Sequence, residues 1–119
     1  MGCDIHVCVE VRYRTLGRWT GTGELLNPGR YYDAFGRLAG VRRDGPAPKG
    51  LPPDASEEVA EAYAWWEEDA HSASWATLEE WEAAAELTGP EWMAPVAYAR
   101  AALEGGSYAE ARIVYWFDN

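Results

Sequence analysis

Residues 3–13 read CDIHVCVEVRY, and their alternation is unbroken. Cys3, Ile5, Val7, Val9, Val11 and Tyr13 fall on one side of an extended chain, and Asp4, His6, Cys8, Glu10 and Arg12 on the other. A period of two sustained over this length predicts a half-buried β-strand. At the other end of the sequence, ARIVYWFDN (residues 111–119) has the β-branched and aromatic content of a second long strand. The segments between them have helical spacing. The chain is therefore expected to be one α+β domain over residues 1–119, with a small antiparallel sheet in which the N- and C-terminal strands are neighbours. Three to four helices would pack on the valine face. The face carrying Asp4 and His6 would be open to solvent or roofed by loops.

Outward from the first strand, Thr15-Leu16-Gly17 predicts a turn into a short strand around Arg18-Trp19-Thr20, ended or bulged by Gly21 and Gly23. RYYDAFGRLAGVR (30–42) places Tyr32, Phe35, Leu38 and Ala39 at helical spacing before Gly40, a C-terminal stop. DGPAPKGLPP (44–53) is too rich in proline for regular structure. Asp54 to Glu57 offer caps for a helix with Val59, Tyr63 and Trp66 on one face, and Thr77-Leu78-Glu79-Glu80 is a capping box for another with Leu78, Trp81 and Ala85 inward. EEDAHSAS (67–74) reads as the connection between them. A third helix over Glu91 to Leu103 ends at Gly105-Gly106. Trp65 and Trp66 are adjacent and cannot face the same way, so one is expected to line a pocket or an oligomer contact.

The net charge of −10 is unevenly distributed. Residues 1–50 hold eight basic and five acidic groups, whereas residues 51–119 hold two basic and fifteen acidic ones. A chain with this balance is not expected to bind nucleic acid generally, because its bulk field repels phosphate. No apolar run approaches bilayer length, and no basic segment followed by an apolar stretch opens the sequence, so a soluble cytoplasmic protein without membrane association is expected. Cys3 and Cys8 differ by an odd number of residues, point to opposite faces of a strand, and read as reduced thiols.

The only two histidines each follow an aspartate by two positions, as Asp4-Ile5-His6 and Asp69-Ala70-His71. A carboxylate beside an imidazole can orient the ring for proton transfer or share a metal. The plainer readings are pairing with arginines for the first triplet and helix capping by Asp69, Ser72 or Ser74 for the second. His6 and His71 are expected to come close in space and to form a polar network with their aspartates; no cofactor is expected, with a divalent metal on Asp4, His6, Asp69 and His71 as the alternative, and Cys8, Glu10 or Asp118 in reserve. Arg30, Arg37, Arg42, Arg43 and Lys49, interleaved with Tyr31 and Tyr32, suit a phosphate and a stacked ring, although several must simply balance the acidic helices. GRWTGTGEL contains only Gly-x-Gly, which is too little for a phosphate cradle.

MGCDIH with its alternating strand, RYYDAFGRLAGVR, KGLPPDAS and DAHSASWATLEE, in that order, resemble a family of small proteins encoded by bacteriophages and prophages. The resemblance runs through about Glu82 and does not extend over residues 92–119. It implies viral origin and action in a host cytoplasm, and no particular chemistry. Its motifs contain Asp4, His6, Arg30, Tyr32, Phe35, Arg42, Asp69, His71, Ser72 and Ser74; Phe35 reads as packing. The others form the expected binding set for a small phosphate-bearing, nucleotide-like ligand, and sequestration of a host signalling nucleotide is one use that the resemblance suggests. The alternatives are a metal-assisted phosphodiesterase built on the two Asp-x-His pairs, and an acidic inhibitor whose partner is a host nucleic-acid enzyme. A homo-oligomer is a further expectation.

Overall fold

The computed structural model describes residues 2–15, 17–25 and 27–119. The alternating opening segment forms β1 (Asp4–Tyr13), which pairs antiparallel with β2 (Trp19–Gly21). On its other side β1 pairs with β4 (Tyr108–Asp118) over nearly its whole length, in the register Asp4 to Asp118, Val7 to Tyr115 and Val9 to Ile113. The terminal strands are thus the central pair of the sheet, as their composition implied. Leu16, in the middle of the expected turn, lies outside the described residues.

A fourth strand, β3 (His71–Ala76), borders β4, giving the order β2-β1-β4-β3 with every pairing antiparallel. This corrects the reading of residues 67–74 as a connection. His, Ser and Ala carry little strand preference of their own, and pairing with β4 supplies what composition does not. The register slips between His71 and Ser74, where Ser72 takes a positive φ of 55°, and this bulge hides the alternation in the sequence. The proline-rich segment contains neither helix nor strand. It runs along the outer edge of β3, with the Gly50 amide donating to the Ala73 carbonyl at 2.8 Å and the Lys49 amide to Ser74 Oγ at 3.0 Å.

Three helices cover the face of Ile5, Val7 and Val9: α1 (Tyr32–Ala39), α3 (Leu78–Ala85) and α4 (Ala94–Glu104), the last preceded by a 3₁₀ turn over Pro90–Met93. Each has a local cause. Gly40 ends α1 at φ 68°, with its amide on the Gly36 carbonyl. Thr77 and Glu80 form the reciprocal capping box of α3. Trp81 and Trp92 stack at 4.7 Å, and the buried Trp81 indole N–H donates to the Trp92 carbonyl at 2.6 Å. Phe35 is fully buried in this cluster, as expected of a packing residue.

The second face of the sheet departs from expectation. It is covered by α2 (Glu57–Trp66), whose Val59, Tyr63 and Trp66 pack with Cys8, Val114 and Trp116. The β4 sequence explains this, because IVYWF is apolar on both alternating sides, as in a strand buried on both faces. His6, Cys8 and Glu10 are consequently buried, and Asp4 and Arg12 at the two ends of this face stay half-exposed. Glu10 accepts from Arg112 Nε and from the Ser56 amide, both at 2.6 Å; Arg112 also reaches Asp54 at 3.0 Å and lies 3.9 Å above the Trp19 ring. Ser56 in turn caps α2 by accepting from the Val59 amide. One buried ion pair therefore ties together β1, β4 and the start of α2. Among the described residues, no helix is long and apolar enough to cross a membrane.

Candidate anion-binding site at one end of the sheet

Because β4 is antiparallel to both of its neighbours, the start of β1, the end of β4 and the start of β3 lie at the same end of the sheet. The segment before α1 and the turn after it arrive there too. Arg30 grips Asp4 through two hydrogen bonds, Nε to Oδ1 at 2.8 Å and Nη2 to Oδ2 at 3.2 Å, and Asn27 Nδ2 adds a third at 3.2 Å. The bond from Arg30, with Asn27 assisting against partial burial, holds the Asp4 carboxyl below its ordinary range, and the same pairing raises Arg30. The Cys3 amide donates to the Tyr32 hydroxyl at 3.1 Å.

Two further guanidiniums approach the Tyr32 ring, with Arg42 5.3 Å and Arg43 5.8 Å from its centroid. Arg42 has φ 64°, and this left-handed residue turns the chain back after Gly40. Its Nη2 donates to Asn119 Oδ1 at 3.3 Å. Arg43 pairs with Asp33 at 3.2 Å and donates from Nη1 to the Arg42 carbonyl. Two open clefts flank the Arg30-Tyr31 backbone. One, of about 310 Å³, is lined by Arg30, Tyr32, Asp33 and Arg43; the other, of about 460 Å³, by Asn27, Gly29, Arg30 and Glu91.

His71 joins this end of the sheet through Asn119, whose Oδ1 lies 3.2 Å from His71 Nε2, while Ser72 Oγ is 3.0 Å from Nδ1. This network fits a ring protonated on Nε2 that accepts the Ser72 hydroxyl. Asp4, Arg30, Tyr32, Arg42, His71 and Ser72 thus gather at one end. His6, Asp69 and Ser74 do not join them.

His6 faces the other side of the sheet from His71. Ile5, Phe117 and His71 form one row across three strands, and the His71 ring stacks on Phe117 at 6.1 Å, whereas His6, next to Ile5, points the opposite way. The His6 ring lies under Trp66 at 4.1 Å, with Nδ1 against Glu24 Oε1, and the Trp66 indole N–H donates to Glu24 Oε2 at 2.8 Å. His6 Nε2 is 3.3 Å from Asp118 Oδ1 but is not aligned for a hydrogen bond, and both atoms are buried without another partner among the described residues. The expected meeting of the two Asp-x-His pairs does not occur, because the intervening residues place the histidines two strands apart on opposite faces.

Asp69 is exposed in the turn after α2. Ser74 is fully buried, holding the Lys49 amide and the Tyr115 side chain, and burial pushes the Tyr115 hydroxyl up to about 12. The reserve residues Cys8 and Glu10 belong to the interior. Burial, with Glu24 and Glu10 adding to it, pushes the Cys8 thiol up to about 12. Cys3, also free and on the opposite face, is raised chiefly by burial, with Arg42 opposing. Among the described residues, no group of three or more His, Cys, Asp or Glu side chains is arranged to hold a metal ion.

Several participants escaped sequence reasoning. Asn119 and Asn27 have no pattern around them that marks a ligand or a positioning residue. Gly2 is another. A Cβ there would fall 1.9 Å from Arg30 Nη1, so the absent side chain makes room for the guanidinium that clasps Asp4. Trp65 proves to be the outward member of the tryptophan pair, 84% exposed, while Trp66 is packed. In comparison with known proteins, the chain matches no protein-family model, no curated protein and no solved structure.

Proposed function

We propose that the protein binds a small phosphate-bearing, nucleotide-like ligand at the arginine-rich end of its sheet. The observation that carries this reading is the convergence of Arg30, Arg42 and Arg43 around Tyr32 beside two open clefts. Guanidiniums present planar donor pairs to phosphate oxygens, and a cleft of about 310 Å³ falls in the size range of small-molecule sites. Asp4 and Asp33 each engage one arginine from the side and fix its orientation without consuming all five of its N–H donors. His71 and Asn119 brace Arg42 from the strand ends. The resemblance to phage-encoded proteins suggests a use for such a site, the withdrawal of a host signalling nucleotide, and this step is analogy.

The test is incubation of the purified protein with a panel of nucleotides, followed by chromatography of the bound material before and after heat denaturation. Intact release supports binding, an altered product points to turnover, and no retention of any nucleotide rejects the reading. Arg43→Lys should weaken retention, because a point charge does not reproduce the bidentate fork.

A second reading rests on Trp65. It projects from the last turn of α2, four positions after the exposed Glu61, and the turn that follows carries the exposed Glu67, Glu68 and Asp69. An exposed tryptophan in an acidic surround suits a basic protein surface with an apolar pocket, such as that of a nucleic-acid enzyme. Inhibition of purified nucleases that disappears in Trp65→Ala would support it, and inhibition that is unchanged, or absent from the outset, would reject it.

A further inference from the structure

Adjacent residues of a regular strand point to opposite faces, so the side chains of His71 and Ser72 would not meet in one. Here they do. Between His71 and Ser74, β3 advances three residues while β4 advances two, from Phe117 to Tyr115, and the extra residue is taken up where Ser72 holds φ at 55°. A left-handed backbone at a residue other than glycine is costly, and such residues collect at functional positions. The bulge brings Ser72 Oγ to 3.0 Å from His71 Nδ1. On the far side of the ring Nε2 lies 3.2 Å from Asn119 Oδ1, and Phe117 stacks on the ring at 6.1 Å and 27°. The side-chain carbonyl of Asn119 only accepts, so it fixes the proton on Nε2 and leaves Nδ1 to accept from the serine hydroxyl. A serine that only closed a bulge would need no such second bond. His71 and Ser72 are partly buried and Asn119 is exposed, which puts the relay at the surface.

We infer that Ser72 is a nucleophile toward carboxylic esters, with His71 as its general base and Asn119 as the positioning residue that holds the imidazole. Nucleophile, base and orienting group stand in the hydrogen-bonded order that such relays show on unrelated folds. Ser72 Oγ attacks the ester carbonyl as its proton passes to His71 Nδ1. The Oγ–C bond forms, the bond to the leaving alcohol breaks, and the alcohol departs with the proton from Nδ1. Water then attacks the acyl-serine with His71 again as base, which releases the carboxylic acid and restores the hydroxyl. A relay at the surface suits an ester with an unhindered carbonyl. This reaction is separate from the anion binding proposed above, and neither requires the other.

Fluorophosphonate labelling of the full chain with peptide mapping, and the burst of p-nitrophenol released from p-nitrophenyl acetate, test the assignment. The reagent should phosphonylate Ser72 with loss of fluoride, and the burst should approach one p-nitrophenol per chain. Ser72→Gly is the informative variant, because glycine holds the left-handed backbone at no steric cost while removing the hydroxyl. It should lose both adduct and burst with its circular dichroism spectrum unchanged. His71→Gln should slow acylation by about 10²- to 10⁴-fold, the contribution of a general base. Asn119→Ala should slow it as well, and Asn119→Asp, which retains the acceptor, should restore it; an asparagine with a merely structural role would not show this rescue. Mapping on the parent chain decides the question whatever the stability of the variants. An unmodified Ser72, an adduct mapped to another residue, or a burst unchanged in Ser72→Gly would overturn the inference.

Discussion

Removing Arg112 should expose how much of the fold depends on one ion pair. Arg112 is 8% exposed, its partner Glu10 is fully buried, and the two meet at 2.6 Å. In Arg112→Ala, Glu10 keeps only the Ser56 amide as a partner, and stranding a buried charge in this way costs about 3–5 kcal/mol. The guanidinium's contact with the Trp19 ring contributes roughly 1 kcal/mol more. The second partner, Asp54, has a largely exposed side chain, so Asp54→Ala should cost no more than about 1 kcal/mol and serves as the control. At about 2.1 cal/mol/K of unfolding entropy per residue, this chain has roughly 0.25 kcal/mol/K, and a loss of about 4 kcal/mol lowers Tm by about 16 °C. Thermal and urea unfolding followed by far-ultraviolet circular dichroism measure both quantities. Replacing the pair together, as Glu10→Leu with Arg112→Met, should recover most of the loss, because the cost lies in the unpaired charge. An Arg112→Ala variant within about 1 kcal/mol of the parent chain, or a double variant no better than the single one, would refute the reasoning.

Gly2→Ala should leave Tm nearly unchanged and weaken pyrophosphate binding, since the new methyl group displaces the movable end of Arg30 and no backbone; equal affinity in the variant would detach Arg30 from the site. Neither cysteine should react with DTNB at pH 8 until guanidinium is added, because burial raises both thiols, Cys8 to about 12, and keeps them protonated; rapid labelling of the native chain would contradict the burial of both strand faces. The Glu80 carboxyl is held low by the Thr77 amide first, with Lys49 assisting against burial, so its contribution is present at neutral pH and is lost as pH falls through its depressed folded value. The stability gap between the parent chain and Glu80→Gln should therefore be constant above about pH 6 and shrink below the unfolded carboxyl pKa of about 4.3; a gap that widens in acid would invert the assignment.

The strands that carry the fold were legible because their patterns are long. Ten alternating residues in β1 and an apolar run in β4 leave little choice of structure, and Gly40 and the Thr77–Glu80 box mark helix ends through local chemistry alone. The second covered face was not legible, since His6, Cys8 and Glu10 look like a solvent-facing series until Arg112, Glu24 and α2 supply their partners from distant segments. β3 was missed for a related reason, as pairing and a bulge, rather than residue preference, make it a strand. In the site, the arginine and tyrosine cluster could be anticipated from its spacing. The histidines could not be placed, because strand parity fixes the face of His6 while His71 takes its face from a register that the sequence does not display.

The pairing of β1 with β4 also determines when the site can exist. Glu10 and Arg112 are 102 positions apart, and the contacts of Asn119 with Arg42 and His71 span 77 and 48. Contacts this distant close large loops before they return any stabilisation, which places the chain among slow-folding topologies for its size. During synthesis, β1 waits at the middle of an unfinished sheet, and α1, α2 and α3, at eight to ten residues each, are too short to persist without the sheet to pack on. The contacts of Asn119 with Arg42 and His71, which complete the arginine cluster, form only after β4 docks. Ligand competence is therefore a late event, and the interval before it leaves the apolar β1 segment open to non-native pairing.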